Sequence, residues 1–507
     1  MPASTSARAA IRVGAAGAGP VPLSPFVFGA LTEHFGRGMY GGIWSTERDA
    51  PRSDVLNAVR ALQPTMFRYP GGCFSDWYHW RDGVGPKSKR PTHDRQFWTD
   101  FSFGDAFPPE WAREFGPVET NQVGTDEFLR YCLDTDVEPM LVANFGSGTP
   151  EEAAEWVRYC NRGEAPRPVT WWAVGNETYG DWEIGHCSVG EYARRFVEFS
   201  TAMRAVDPGI RIVAVGCGGL GPEGGSAEWN RGLVEIAGEH IDALSVHFYF
   251  PGPVLSRDLR DDVEDYLQVA TGSDELGIML DRNMAEFDSA GGSRAIPISL
   301  DEWNLWYQWR DLITTNHPLS WSVFFAGCFN RMIERASRVQ MAHISHLVNC
   351  MAPIQTRGER SFVTSAYLVA MLYRRAARAG TVPVQVEAEQ ITAPPFRDVQ
   401  VQDPPMTGER RAAALDAAAT ADASGTTVFL ANRLFDEPLG VEVHGLPPGR
   451  RGRLRHLAGA GPFTRNDEDH PDAVHFRDVA VEVDGTGTAT LTLPPHTAGA
   501  LIVDAGA

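Results

Sequence analysis

The sequence predicts an α/β fold: a (β/α)8 barrel followed by a C-terminal antiparallel β-sandwich that the N-terminal segment joins. Three observations carry that expectation. Short apolar runs recur between residues 26 and 349, with segments of helical periodicity between them. The runs are apolar on both faces, as parallel strands covered by helices must be. After about Gly380 the helical periodicity stops, and alternating segments punctuated by Gly, Pro and Asp take over, the texture of an antiparallel sandwich.

The strands are expected around Phe26–Leu31, Met66–Tyr69, Pro139–Asn144, Thr170–Val174, Ile212–Val215, Ala243–His247, Pro297–Leu300 and Ala342–Val348. Eight strands alternating with helices suggest a closed barrel with enlarged loops; a doubly wound open sheet is the alternative. A helix should start at Ser188, where Ser188 and Glu191 form a capping box. Tyr192, Phe196, Phe199 and Met203 then repeat at helical spacing, and Pro208 closes the segment. Thr149-Pro150-Glu151-Glu152 opens another helix with a cap, a first-turn proline and early acids. Beyond the barrel, Thr426–Asn432, Gly440–Val443 and Thr488–Leu493 read as sandwich strands, and Ala10–Val13 reads as a strand able to join them. The division expected is a barrel over 23–380 and a sandwich made of 1–22 with 381–507.

Composition narrows the function classes. The chain has 507 residues, with 45 basic against 65 acidic ones and a net charge of −20. Such a surface repels polyphosphates and anionic membranes, so neither nucleic acid nor membrane is an expected partner. No apolar run approaches the ~18 residues of a membrane span. The N-terminus is Ala/Gly-rich but carries Arg8 and Arg12, and no secretion signal is expected. Seven scattered cysteines, with no close pair, speak against a disulfide framework and for a reducing cytoplasm.

Barrel active sites lie at the C-terminal ends of the strands. There the sequence places Thr32-Glu33-His34, Arg68 with Gly71-Gly72-Cys73, Asn144, Asn176-Glu177, His247-Phe248-Tyr249, Asp301-Glu302 and Asn349. Ordinary loops would supply Gly, Asp and Pro; a ring of acids, amides, His, Tyr and Arg reads as a site. Glu177 and Glu302 each follow an apolar run directly. Paired carboxylates at a barrel mouth are what retaining glycoside hydrolysis requires, one as acid and one as nucleophile, about 5–5.5 Å apart. The bland reading of either acid is a helix cap or an ion pair. Trp77, Tyr78, Trp80, Tyr179, Trp182, Trp303, Trp306 and Tyr307 crowd the same loops. Flat aromatics suit the C–H faces of sugars, although any single Trp is more readily explained as core.

Competing signals are weaker. Gly216-Cys217-Gly218-Gly219-Leu220-Gly221 has the form of a dinucleotide fingerprint, yet Pro222, Gly224 and Gly225 follow where a helix should open. His343 and His346 are three apart, which in a strand sends them to opposite faces, and His79 and His93 sit in one loop; neither pair is expected to hold a metal. Neither a metal nor an organic cofactor is expected. A sugar-binding protein without catalysis should lack one of the two acids, and a β-xylosidase or endoglucanase would use the same pair.

The assembled motifs resemble glycoside hydrolase family 51, the α-L-arabinofuranosidases. They are Gly29–Arg37, Arg68-Tyr69-Pro70-Gly71-Gly72, Trp80–Pro86, Trp172–Glu177, Asp301-Glu302-Trp303-Asn304, Val348-Asn349 with Ala352-Pro353-Ile354, and Leu493-Pro494-Pro495-His496. The resemblance implies an exo-acting retaining hydrolase that releases terminal non-reducing α-L-arabinofuranosyl residues from arabinose-containing oligo- and polysaccharides. It implies Glu177 as general acid/base, Glu302 as nucleophile, Asn176 on the sugar's 2-hydroxyl, Tyr249 positioning the nucleophile and Glu33 on distal hydroxyls. Arg68 would keep Glu302 ionised, and Cys73 and His247 complete the substrate-binding set. The family expectation is a cytoplasmic homo-oligomer, for instance a hexamer. Three departures bear on fine specificity: Cys73 where many relatives have Asn, Phe115 for a Trp, and Val363 for a Gln that would hydrogen-bond the sugar.

Overall fold

Eight strands close on themselves with every neighbour parallel: β1 (Gly29–Leu31), β2 (Met66–Tyr69), β3 (Glu138–Ala143), β4 (Trp171–Val174), β5 (Arg211–Val215), β6 (Ala243–Pro251), β7 (Ile298–Trp306) and β8 (Val339–Ile344). The computed structural model describes residues 8–14, 20–94, 118–163, 165–219, 226–290, 294–308, 315–400 and 407–506. The open-sheet alternative is excluded by β8 pairing β1, His343 opposite Gly29. Helices α1 (Ser53–Leu62), α2 (Thr125–Thr135), α3 (Pro150–Arg162), α4 (Val189–Val206), α5 (Ser226–Ala237), α6 (Val263–Ala290), α7 (Ser322–Glu334) and α8 (Ser365–Ala376) follow the strands in turn.

Local sequence explains the helix limits. Ser188 Oγ accepts from the Glu191 N–H, and Thr149 Oγ1 accepts from that of Glu152, relieving orphan donors of each first turn. The aromatic stripe of α4 is wholly buried, and each such side chain contributes about 1.5–3 kcal/mol by leaving water.

Inside the barrel, Met66, Met140, Val142, Trp171, Ala173, Val213, Ala243 and Met341 form a separate apolar cluster. Alternation along a strand puts Arg68 on the same face as Met66 and one layer nearer the mouth. The barrel mouth therefore stands on a packed floor.

Two strands run further than the sequence suggested. β6 continues to Pro251 and β7 to Trp306, so Asp301 and Glu302 lie within a strand and not at its end. Charged residues looked like a terminus; buried cationic partners let the strand pass through them. β8 is displaced the other way, ending at Ile344, and Asn349 stands in the following loop with φ of +66°. Phe26 belongs to a short 3-10 turn over Pro25–Phe28 that precedes β1.

Among the described residues the C-terminal part forms two large sheets and a two-stranded ribbon of Gln390–Ala393 with Arg410–Ala413. One orders Val384–Glu387, Arg8–Val13, Leu439–His444 and Thr488–Leu493, so the N-terminal strand lies inside it, parallel to Leu439–His444 and antiparallel to Val384–Glu387. The other has seven strands, among them Leu415–Asp422, Gly425–Asn432 and Thr497–Asp504. Tyr373 of α8 stacks on Phe429 with centroids 4.0 Å apart, and buried Arg433 pairs with Asp274 of α6 at 2.7 Å and with Asp416 at 3.1 Å. Packing and charge thus join barrel to sandwich. Among the described residues no helix is long and apolar enough to cross a membrane, and all seven cysteines are free.

Candidate active site

Arg68 organises the barrel mouth. Its Nη1 donates to Glu302 Oε1 at 2.6 Å, its Nη2 donates to Asn176 Oδ1 at 2.8 Å, and its Nε lies 3.3 Å from Asp301 Oδ2. Burial disfavours the guanidinium, but Asp301 and Glu302 outweigh it and raise its pKa. Burial opposes ionisation of Asp301 too, yet Arg68 and His247 bring its pKa down to about 2. The buried cation and two acids thus satisfy one another, and removing any one would strand the rest.

Glu302 Oε2 accepts from the Tyr249 hydroxyl at 2.6 Å, and that hydroxyl also lies 2.8 Å from Ser345 Oγ. Both oxygens of Glu302 are therefore oriented. The backbone approaches closely here: a Cβ on Gly72 would sit 2.5 Å from Glu302 Oε1, which accounts for glycine at that position.

Glu177 has different surroundings. It follows β4 in the left-handed region, at φ of +40°, a conformation costly for a residue with a side chain. Its Oε2 accepts from Trp182 Nε1 at 2.7 Å, and its Oε1 lies 2.6 Å from His247 Nδ1. His247 sits opposite Glu302 in the β6–β7 register, next to a bulge at Ser245/His247, the kind of irregularity that re-aims side chains. Its Nε2 lies 3.3 Å from Asp301 Oδ1. Burial alone would lower the pKa of His247, but Glu302, Glu177 and the hydrogen bonds to Asp301 and Glu177 raise it well above the imidazole range. One oxygen of Glu177, one nitrogen of His247 and one oxygen of Glu302 all lie within 4.8 Å of one another. That spacing fits paired acids acting on one bond and leaves little room for an intervening water.

Other predicted residues are placed as follows. Glu33 is buried, its Oε1 accepting from the N–H groups of Gly72 and Phe74 and its Oε2 2.7 Å from His346 Nε2. Cys73 Sγ lies 3.8 Å from Asn176 Nδ2. Burial, then Glu183 and Glu177, keep the thiol protonated well past its usual range. Cys73, Glu177 and Glu183 cluster within 4.8 Å, but burial also favours the protonated form of Glu183, so the trio offers a metal few anionic donors. Phe115 lies outside the described residues. Val363 ends a short strand, Arg360–Val363, paired with Ile354–Arg357.

The aromatic cluster divides. Trp80 stacks on Trp156, and Trp303 packs edge-on to Phe329; these two are core. Trp182, on Glu177, and Trp306, edge-on to Tyr249 at 5.2 Å, border the acids. A cavity of about 310 Å³ opens alongside, lined by Trp77, His79, Ile184 and others but by neither acid. In the Gly-rich loop, the Cys217 N–H and carbonyl are taken by Asn230 at 2.8 and 3.0 Å. A side chain thus occupies the backbone donor that a pyrophosphate would need; residues 220–225 lie outside the described ones.

Sequence reading missed Glu183 and Asp76. Asp76 accepts from the N–H groups of Phe145 and Asn176 and is pushed up to about 6 by burial. Neither stands at a strand end: Asp76 closes a short 3-10 turn over Cys73–Asp76, and Glu183 lies in the loop after β4.

Residues 58–250 match the family model of the alpha-L-arabinofuranosidase 1 domain, and residues 301–497 that of the alpha-L-arabinofuranosidase C-terminal domain. An intracellular exo-alpha-(1->5)-L-arabinofuranosidase 1 of Bacillus subtilis is 30% identical over 69% of this chain and 72% of its own length. A second, from Bifidobacterium longum, is 28% identical over 93% and 88%. The α-L-arabinofuranosidase of Thermotoga maritima, solved with arabinose, superposes with a TM-score of 0.81 at 27% identity, covering 98% of this chain and all of that one. A family 44 xyloglucanase of Paenibacillus polymyxa shares the fold at 12% identity and a TM-score of 0.62.

Proposed function

The chain belongs to the α-L-arabinofuranosidases of glycoside hydrolase family 51, and from that membership we propose that it removes terminal arabinofuranosyl groups with retention, Glu302 as nucleophile and Glu177 as acid/base. One observation supports these roles above others: carboxylate oxygens of the two acids lie within 4.8 Å, while among the described residues a guanidinium clamps Glu302 and not Glu177.

In the first step a Glu302 oxygen bonds to the anomeric carbon as the glycosidic bond breaks, and the leaving oxygen takes a proton from Glu177. His247 Nδ1, 2.6 Å from Glu177 Oε1, holds the acid in place for that transfer. In the second step Glu177 removes a proton from water, which displaces Glu302 and yields the sugar with its original configuration. Arg68 and Tyr249 hold the two oxygens of Glu302 in place for both steps. Asn176 is assigned the 2-hydroxyl, Glu33 and Cys73 the remaining hydroxyls, and His247 acts through both acids.

The same reading takes 23–380 as the catalytic unit and 1–22 with 381–507 as the sandwich, the shared N-terminal strand supporting that division. It takes the protein as intracellular and homo-oligomeric, acting on arabinose-containing oligosaccharides. The relatives' names support an intracellular location and make α-(1→5)-linked arabinobiose the first substrate to try. A screen of 4-nitrophenyl glycosides tests the activity: the α-L-arabinofuranoside should be cleaved well ahead of the β-D-xyloside and β-D-glucoside. In NMR of the early reaction the α-furanose should appear first. Initial β product would replace this mechanism with inversion.

A further inference from the structure

We propose that Glu183 is a positioning residue that fixes the Asn176 carboxamide for the sugar's 2-hydroxyl. The inference rests on the assignment of Asn176 to that hydroxyl.

The amide is held from two sides. Arg68, which can only donate, faces Asn176 Oδ1 at 2.8 Å, so Nδ2 must point the other way. There Glu183 Oε1 accepts from it at 2.9 Å. A single contact would leave the amide plane free to turn about its last torsion, which is soft; two opposed contacts fix it. The second Nδ2 proton is donated to Cys73 Sγ at 3.8 Å, which leaves the second lone pair of Oδ1 for the sugar's hydroxyl. Asn176 is further anchored through its backbone N–H on Asp76 Oδ2.

Glu183 is itself rigid and dry. It is 4% exposed, with its N–H on the Gly180 carbonyl and its own carbonyl accepting from His186. Its Oε2 is buried with no hydrogen-bond partner among the described residues. Nor does it make an ion pair among them, unlike Glu302 on Arg68. A carboxylate so placed would be costly. Burial, then the nearby Asp76 and Glu177, push its pKa well above the carboxyl range. The neutral acid supplies an acceptor to Asn176 without adding negative charge beside Glu177. Glutamine has the same shape and the same acceptor, so it should serve as well as the native residue.

The test compares 4-nitrophenyl α-L-arabinofuranoside with its 2-deoxy analogue for the wild type, Glu183→Gln, Glu183→Ala and Glu183→Met, each checked for folding by circular dichroism. The ratio of kcat/KM values measures the use made of the 2-hydroxyl. Glu183→Gln should keep the wild-type ratio within about twofold, and Glu183→Ala should lower it about tenfold, the size of one hydrogen bond strengthened in the transition state. The loss should fall on kcat more than KM. Glu183→Met, similar in bulk but without the acceptor, should match Glu183→Ala and serves if the latter does not fold. An unchanged ratio in Glu183→Ala or Glu183→Met overturns the positioning role, and a lowered one in Glu183→Gln overturns its action as a neutral acid. A wild type indifferent to the 2-hydroxyl overturns the Asn176 assignment instead, and the inference with it.

Discussion

Glu302 and Glu177 are the same amino acid at one barrel mouth, yet they inhabit opposite kinds of surroundings. Glu302 lies within a strand, gripped by Arg68 on one oxygen and Tyr249 on the other. Glu177 lies beyond a strand end in a left-handed conformation, touched by an indole and by an imidazole that can share its proton. A nucleophile must be ionised and aimed; an acid/base must gain and lose a proton while holding its place. The difference teaches that role follows from neighbours and not from residue type.

The largest effect that could break this contrast is loss of the proposed nucleophile. Glu302→Ala should reduce kcat about 10⁴-fold, on the order of 5 kcal/mol of barrier, with folding retained. Turnover above about a tenth of the wild type would remove Glu302 from the role assigned to it.

Glu177→Ala sharpens the contrast, because its defect should depend on the leaving group. Natural arabinosides should slow by about 10²–10⁴-fold, whereas an activated aryl arabinofuranoside should still form the covalent intermediate quickly. Azide should then restore turnover and give the α-azide. Azide on Glu302→Ala should give the β-azide, formed by direct displacement from the vacated side. One anomer from both variants would end the distinction.

Arg68→Met tests the clamp by stability. Asp301 and Glu302 would be left buried without their cation, and urea denaturation should show a loss of about 3–5 kcal/mol. A loss below about 1 kcal/mol would mean the clamp is not a structural necessity.

Acid titration probes the same network from Asp301. Its folded pKa of about 2 lies below the ordinary value of 3.8, so the folded state favours the ionised form. The resulting stability, on the order of 2 kcal/mol, is present above pH ~4 and is lost as pH falls towards 2. Asp301→Asn should flatten that part of the stability curve; an unaltered slope would assign it to other groups.

The smallest effect is expected from Tyr249→Phe, which removes one hydrogen bond from Glu302 Oε2 and leaves the ring edge-on to Trp306. A fall in kcat/KM of about tenfold is expected. If the drop matched that of Glu302→Ala, the hydroxyl would be doing more than orienting the nucleophile.

Much of this arrangement was legible from residue order. Apolar runs two-faced in character identified the barrel strands, the stripe from Tyr192 to Met203 identified α4, and acids immediately after apolar runs identified Glu177 and Glu302. Periodicity and local chemistry are recorded in the chain itself, because strand alternation, helix pitch and capping act over a few residues. Where β6 and β7 end was not legible. His247 and Glu302 look like terminators until the tertiary structure sets Arg68, Tyr249 and Asp301 around them and makes burial tolerable. Likewise Trp80 and Trp303 could not be told from Trp182 and Trp306, since all four follow apolar runs in aromatic-rich stretches of the sequence and only packing decides which face the acids. The sequence by itself determined that two glutamates stand at the mouth of a barrel. Only the tertiary structure decided that one is clamped by a cation and the other set against an imidazole, because those partners come from residues 234 and 70 positions away in the chain, and a charge feels its neighbours in space.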